Sequence, residues 1–468
     1  MVFSSPAFLF AFLPVCFILY RLLPNLRSKN ALLTLASVVF YAFGEPVYVL
    51  LLLMSVIVNY LCGYFIVLRR PRKKLVLALA VVINLGFLSV FKYTDFAVST
   101  VNHAFGLDLA LPGIALPVGI SFFTFQGLSY VIDVYRDETL VSRDFLKLAL
   151  YISFFPQLIA GPIVKYHDVS LQIDQRETYP ALTAAGLRRF ILGLSKKLLL
   201  SNTVGQMADL VFTAGSDQLD VRTAWLGAVC YCLQIYFDFS GYSDMAIGLG
   251  HMFGFHFLEN FDHPYVSASI QEFWRRWHIS LSSWFRDYLY IPLGGNRKGK
   301  LRTELNKCIV FFCTGLWHGA SWNFVLWGLW HGLFMILEGF LPKGGKLRRI
   351  LGHASTLLIV LLGFVLFRAD TLSDAGLVFA KMFAGTEITL QSTALLRSML
   401  TPYNLFILSL SVVFSLPLLP RVKRFAGGSG MAPALLRIGS YGVSAALFAL
   451  CIMNLAGSQF NPFIYFRF

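Results

Sequence analysis

Residues 47–74 read VYVLLLLMSVIVNYLCGYFIVLRRPRKK, an uninterrupted apolar run closed by a short basic block. An α-helix rises about 1.5 Å per residue, so residues 47–68 are long enough to cross the ~30 Å hydrocarbon core of a bilayer. Lys and Arg collect in short cytoplasmic loops, so the block at 69–74 marks the inner side. The same pairing of apolar run and basic stop recurs in both directions along the chain, and it decides the class of fold.

The 468 residues are 57% hydrophobic and only 13% charged, with mean hydropathy +0.67. A soluble domain carries roughly 25% charged residues, so this chain lacks the charge to coat a water-facing surface. The alternating pattern of a membrane barrel is absent. The fold class is therefore an all-α polytopic membrane protein. Beyond 47–68, apolar segments are predicted at 7–23, 31–43, 75–95, 117–133, 145–163, 188–203, 222–254, 305–323, 324–341, 350–367, 403–420 and 436–458. Residues 1–6, the turn Gly44-Glu45-Pro46 and the loop 96–116 carry no Lys or Arg, whereas Arg21, Arg27 and Lys29 follow the first segment. This alternation puts the basic stretches 69–74, 297–302, 343–349 and 421–424 inside and both termini outside. No basic residue precedes Arg21, so the first segment is expected to stay as a helix rather than be cleaved as a signal peptide.

The net charge of +15 comes from clusters that lie between apolar segments. Such clusters face anionic lipid headgroups, which makes membrane lipid the expected partner and excludes nucleic acid. The seven cysteines lie mostly in apolar segments and form no Cys-x-x-Cys pair, so they read as packing residues rather than disulfide or metal ligands. A hydrolase nucleophile elbow, a glycine-rich phosphate loop and a His-Glu-x-x-His motif are also missing.

Against this background the run Glu272-Phe273-Trp274-Arg275-Arg276-Trp277-His278 stands out, with Trp317-His318-Gly319 forty residues on. Ionisable side chains at membrane depth are costly and mark a substrate path or a reaction site. Residues 267–290 hold too many charges for a lipid-facing span. They are expected to form amphipathic or re-entrant helices around a cavity, where irregular backbone is tolerated. His278 is expected to share a helical face with Gln271, Arg275 and Ser282. Gly315 and Gly319 bracket His318, and Gly328 and Gly332 repeat the spacing, which allows close helix approach. Asp238 and Asp244, in an otherwise apolar segment, either line the cavity, pair with Arg275 or Arg276, or cap a broken helix. His331 reads as a packing histidine. Each motif alone also admits a bland role: a histidine bonded to a nearby carbonyl, or an interfacial helix anchored by tryptophans. A transporter or flippase is a rival, but no internal repeat of broken helices supports it.

Taken with residues 116–125, 155–162, 238–244, Asn260-Phe261, 269–278, 286–296 and the ending 462–468, these motifs resemble the membrane-bound O-acyltransferase family. The similarity is to its bacterial branch of alginate and exopolysaccharide O-acetylation. The resemblance implies a single membrane domain over 1–468, a ring of about 11–13 transmembrane and re-entrant helices around a membrane-crossing tunnel. The motif-bearing core would be about 110–340, with peripheral helices in 1–109 and 341–468. It implies a catalytic His318, with His278 as the second polar residue. Gln271, Arg275, Arg276, Trp277, Trp317 and Asp238 would line the acyl-donor path. The reaction implied is transfer of an acyl group, acetyl in this branch, from a thioester donor to a hydroxyl. The donor would be acetyl-coenzyme A, with no tightly bound cofactor. The group would cross the bacterial inner membrane to a periplasmic partner of the SGNH acetyltransferase type. D-alanyl transfer to a cell-wall polymer is the alternative within the family. The residues suit this chemistry: imidazole is a base near neutral pH, and His278, Trp317 or Arg275 could donate to the oxyanion. The loop 297–302 could draw the phosphates of coenzyme A.

Overall fold

In a computed structural model of the chain, which describes residues 1–340, 345–418, 432–457 and 463–464, all regular structure among the described residues is helical. The cluster at 421–424, part of 343–349 and most of the ending 462–468 lie outside the described residues. Among the described residues, four helices are long and apolar enough to span a bilayer: Val49–Leu68, Arg70–Phe105, Leu347–Arg368 and Gly439–Gly457. A fifth span is made by Leu390–Met399 and Pro402–Ser415 if that pair, bent by 65°, is taken as one. The protein is a multi-pass membrane protein. Its chain forms two compact units, Met1–Phe190 with Ser243–Glu259, and Ile191–Tyr242 with Asn260–Phe468.

The first unit begins with α1 (Leu13–Leu22), α2 (Leu26–Gly44), α3 (Val49–Leu68) and α4 (Lys73–Phe105). Asn25 caps α2 by accepting the Ser28 N–H at 2.8 Å. α4 starts inside the basic block and runs ten residues past the apolar segment 75–95. It stops at Gly106, whose φ of 64° needs a residue without a side chain. There follow α5 (Ile120–Arg136), α6 (Phe145–Ser153), α7 (Phe155–Leu158) and α8 (Tyr166–Asp174). α3 packs on α5 at two glycines: a side chain at Gly63 would strike the Tyr130 ring, and one at Gly127 would strike Asn59. The segment 145–163, expected as one span, breaks at Phe154. Pro156 has no N–H to give to α6, and its ring would strike the carbonyl one turn back. α8 is tied to α5 by His167, whose Nδ1 meets Asp133 at 2.9 Å. Hydrogen bonds that this imidazole donates to the Asp133 and then the Asp168 carboxylate push it up to about 9.

α9 (Pro180–Ser195) leads to the second unit, which holds α10 (Asn202–Phe212) and most of α11 (Val221–Met252). Next come the short α12 (Ile270–Arg276) and α13 (Ile279–Phe285), then α14 (Lys300–His318) and α15 (Trp322–Glu338). α16 (Lys346–Arg368), α17 (Leu372–Ala384), α18 (Leu390–Met399), α19 (Pro402–Ser415) and α20 (Ala432–Gly457) complete it. α14 differs from the expected span 305–323 at both ends. It starts within the basic loop, where Thr303 donates to the Gly299 carbonyl at 2.9 Å, and it ends at His318. From the first helical residue to His318 is therefore ~27 Å, further than a start at residue 305 would give. The expected close approach is present. A side chain at Gly315 would meet the Phe324 carbonyl, and one at Gly328 would meet the Phe311 carbonyl and the Gly315 Cα.

Candidate active site

Two short helices carry the motif 269–278, and their order follows from caps. Ser269 caps α12 by accepting the Glu272 N–H at 3.0 Å, and the Glu272 carboxylate accepts the Ala268 N–H at 3.0 Å, just ahead of the cap. Glu338, at the end of α15, accepts the Ile270 N–H at 2.7 Å, adding negative charge where the helix N–H groups are unpaired. α12 stops after Arg276, and His278 takes φ 43°, the left-handed region that a side chain adopts only at a cost of about 1–3 kcal/mol. Here the structure corrects the expected helical face. His278 lies at the break between α12 and α13, so its ring does not continue the row of Gln271 and Arg275.

The break places His278 in a buried aromatic chamber with His318. The two imidazole rings are 6.3 Å apart, centroid to centroid, and each is nearly or fully inaccessible to solvent. Trp317 lies 5.8 Å from His278 and 4.9 Å from His318. Phe239 meets the His278 ring edge-on at 4.5 Å, while Trp327 and Phe367 enclose His318 at 5.0 and 5.2 Å. Such walls exclude water, and in that setting electrostatic contacts to a developing charge gain strength. His278 Nδ1 meets the Asn260 Oδ1 at 3.2 Å, and among the described residues its Nε2 has no hydrogen-bond partner. His331 sits on the far side of Trp327, 5.1 Å from that ring and between Phe273 and Trp274.

Beside this chamber, a cavity of about 440 Å³ is lined by Gln271, Trp274, Arg275, Ser282, Arg286, Lys307 and Thr314 among others. Gln271 and Arg275 share this cavity with Ser282, and among the described residues no ion pair engages Arg275. Arg276 differs: it is held by Glu272 and Asp262, both at 3.0 Å. Trp277 is buried against Phe273 and Phe261 and packs rather than faces the cavity. Asp238 pairs with neither arginine. Its carboxylate takes an ion pair from buried Lys197 at 2.5 Å and the Ile464 N–H at 3.0 Å. Asp244 belongs to the first unit, where it binds Arg189 at 2.6 Å. The basic residues lining the cavity are Arg275, Arg286 and Lys307, and the loop 297–302 contributes none of its lining residues.

The family model of membrane-bound O-acyltransferases matches residues 8–350, a span that includes both histidines and every wall of the chamber but Phe367. The chain belongs to the membrane-bound O-acyltransferase family. This acyltransferase is 40% identical to a probable alginate O-acetylase of Azotobacter vinelandii over the full length of both chains. It is 44% identical to a probable alginate O-acetylase of Pseudomonas aeruginosa, over 82% of this chain and 75% of that one. Its identity to a peptidoglycan O-acetyltransferase of Helicobacter pylori is 37%, over 80% and 78% of the two chains.

Reading the acyltransferase's sequence alone missed four contributors. Asn260 stood in a quoted motif but without a role. Lys197 gave no signal, because its partner lies on another helix. Trp327 and Phe367 read as ordinary apolar positions, although each touches His318.

Proposed function

We propose that this acyltransferase takes an acetyl group from acetyl-coenzyme A at the cytoplasmic face of the bacterial inner membrane and passes it outward for O-acetylation of an exported polysaccharide. The immediate acceptor hydroxyl belongs to a periplasmic partner, of the SGNH acetyltransferase type, or to the polymer itself. The observation that carries the reading is the pair His278 and His318, buried 6.3 Å apart in an aromatic chamber. The names of the relatives, O-acetylases of alginate and of peptidoglycan, favour acetyl as the group and a cell-surface glycan as the destination.

In this reading His318 removes the proton of the acceptor hydroxyl as its oxygen attacks the thioester carbonyl. The tetrahedral oxyanion is held by the Trp317 indole N–H. Collapse breaks the carbon–sulfur bond, and the departing thiolate recovers the proton from His318. Arg275, Arg286 and Lys307 give the neighbouring cavity the positive charge that a phosphate-bearing donor requires.

Substituting His318→Ala removes the base and is expected to lower transfer by ~10²–10⁴. His278→Ala should also impair it, and His331→Ala should keep it, because that ring packs behind Trp327. The measurement is O-acetyl content of the exported polymer at matched membrane levels of each variant. Near-normal acetylation in His318→Ala, with loss in His331→Ala, would overturn the assignment.

A further inference from the structure

We propose that Asn260 is a positioning residue of the acyl-transfer site: its side-chain oxygen holds the neutral His278 imidazole with the proton on Nδ1 and leaves Nε2 as the nitrogen with the free lone pair. The inference deepens the reading of His278 as a site residue and rests on it.

The argument starts from which end of the Asn260 amide faces the histidine, since the two ends have the same shape and only their partners distinguish them. Three groups converge on Asn260 Oδ1: the Ser280 backbone N–H at 3.2 Å, the Ser280 hydroxyl at 2.9 Å and His278 Nδ1 at 3.2 Å. A backbone N–H can only donate, so the atom it meets is the amide oxygen rather than the NH₂. An amide oxygen can only accept, so the imidazole nitrogen facing it carries the hydrogen. A neutral imidazole has one N–H. Nε2 is then bare, and among the described residues it has no partner.

The arrangement is built rather than incidental. The Asn260 carbonyl accepts the Ile279 N–H at 3.0 Å, and the Asp262 N–H donates to the Arg276 carbonyl at 2.9 Å. These bonds hold the segment 260–262 against the break between α12 and α13. They fix the left-handed backbone of His278 and the ring's approach to Asn260 together. Both side chains are essentially inaccessible to solvent, at 1% and 0% exposure, so water does not compete for either nitrogen. The Ser280 hydroxyl also lies 3.4 Å from Nδ1, but its hydrogen goes to the nearer Asn260 Oδ1 at 2.9 Å, so the opposite tautomer would press two lone pairs together at Nδ1 and Oδ1.

The consequence is chemical. An Nε2 lone pair accepts a hydrogen bond from a hydroxyl or thiol, and it cannot donate to an oxyanion. His278 is therefore assigned to accept from the departing S–H group once the thiolate has recovered its proton. This revises the sequence-based expectation that it could serve as an oxyanion donor, and leaves that part to Trp317.

The test uses the full chain in detergent with ¹⁵N-labelled histidine, and His278→Gln to identify the His278 signals. Wild type should show Nδ1 protonated and Nε2 bare. Asn260→Ala should shift the proton toward Nε2 and lower acyl transfer at least ~10-fold, the size of effect that loss of an orienting partner has elsewhere. Asn260→Asp keeps an acceptor at the same place, so it should preserve both the Nδ1–H signal and transfer well above Asn260→Ala. A wild-type His278 protonated at Nε2, or unchanged signals in Asn260→Ala, would refute the inference. If the signals behave as expected but His278→Gln transfers acetyl normally, the tautomer stands, while the functional reading of His278 and the catalytic part of Asn260 both fall.

Discussion

Three histidines of the second unit illustrate how little residue type says about role. His278, His318 and His331 are all buried among tryptophans and phenylalanines. Only His278 and His318 face each other. His331 is screened by Trp327, which touches both it and His318. The adjacent arginines divide in the same way. Arg276 is spent on Glu272 and Asp262, whereas Arg275 is exposed at the cavity beside Gln271. Arg275→Glu should therefore raise the apparent KM for acetyl-coenzyme A by ~3–10-fold, with kcat changed little. That range corresponds to ~0.7–1.4 kcal/mol for charge at a solvated site. Arg276→Gln should instead lower the amount of folded protein. Donor titration in membrane vesicles separates the two; equal KM effects from both substitutions would contradict the division.

At the scale of elements, the decisive feature is a helix that is not continuous. α12 and α13 together have the length of one amphipathic helix, yet they part at His278 because Asn260 supplies competing partners for the backbone at 279 and 280. α14 and α15 are the opposite case, two helices held close by Gly315 and Gly328. Gly328→Ala would push a methyl group into the Phe311 carbonyl and the Gly315 backbone, atoms that cannot swing aside. Overpacking of this kind costs about 1–3 kcal/mol. Thermal unfolding in detergent should show a lowered midpoint, and transfer should fall with it, since α14 carries His318. Gly376→Ala in α17 meets nothing within 4 Å and is the control. A midpoint no lower in Gly328→Ala than in Gly376→Ala would show that the two helices have room to spread.

For the whole molecule, orientation in the membrane is the quantity that the charge pattern addresses. Single cysteines placed at 72 and 300, in a background without the seven native ones, should resist a membrane-impermeant maleimide applied from outside. They should react once the membrane is opened. Ready labelling of both from outside would invert the topology. Protection at 300 would put the start of α14 inside and His318, at its far end, toward the outer leaflet, the arrangement that the proposed outward delivery of an acyl group requires.

Reading along the chain was enough for the class of fold, a multi-pass helical membrane protein, and for the motifs that carry both histidines. These are local properties: apolar length, basic stops, glycine spacing and residue identity. It also brought out the glycine contact between α14 and α15, because spacing along one helix directly sets which residues share a face. Only the tertiary structure decided what each polar group does. Asn260 and His278 are 18 residues apart, and Asp238 meets Lys197 across two helices. Whether a buried charge or imidazole lines a cavity or is already paired depends on partners that other segments deliver, and periodicity within one segment carries no information about them.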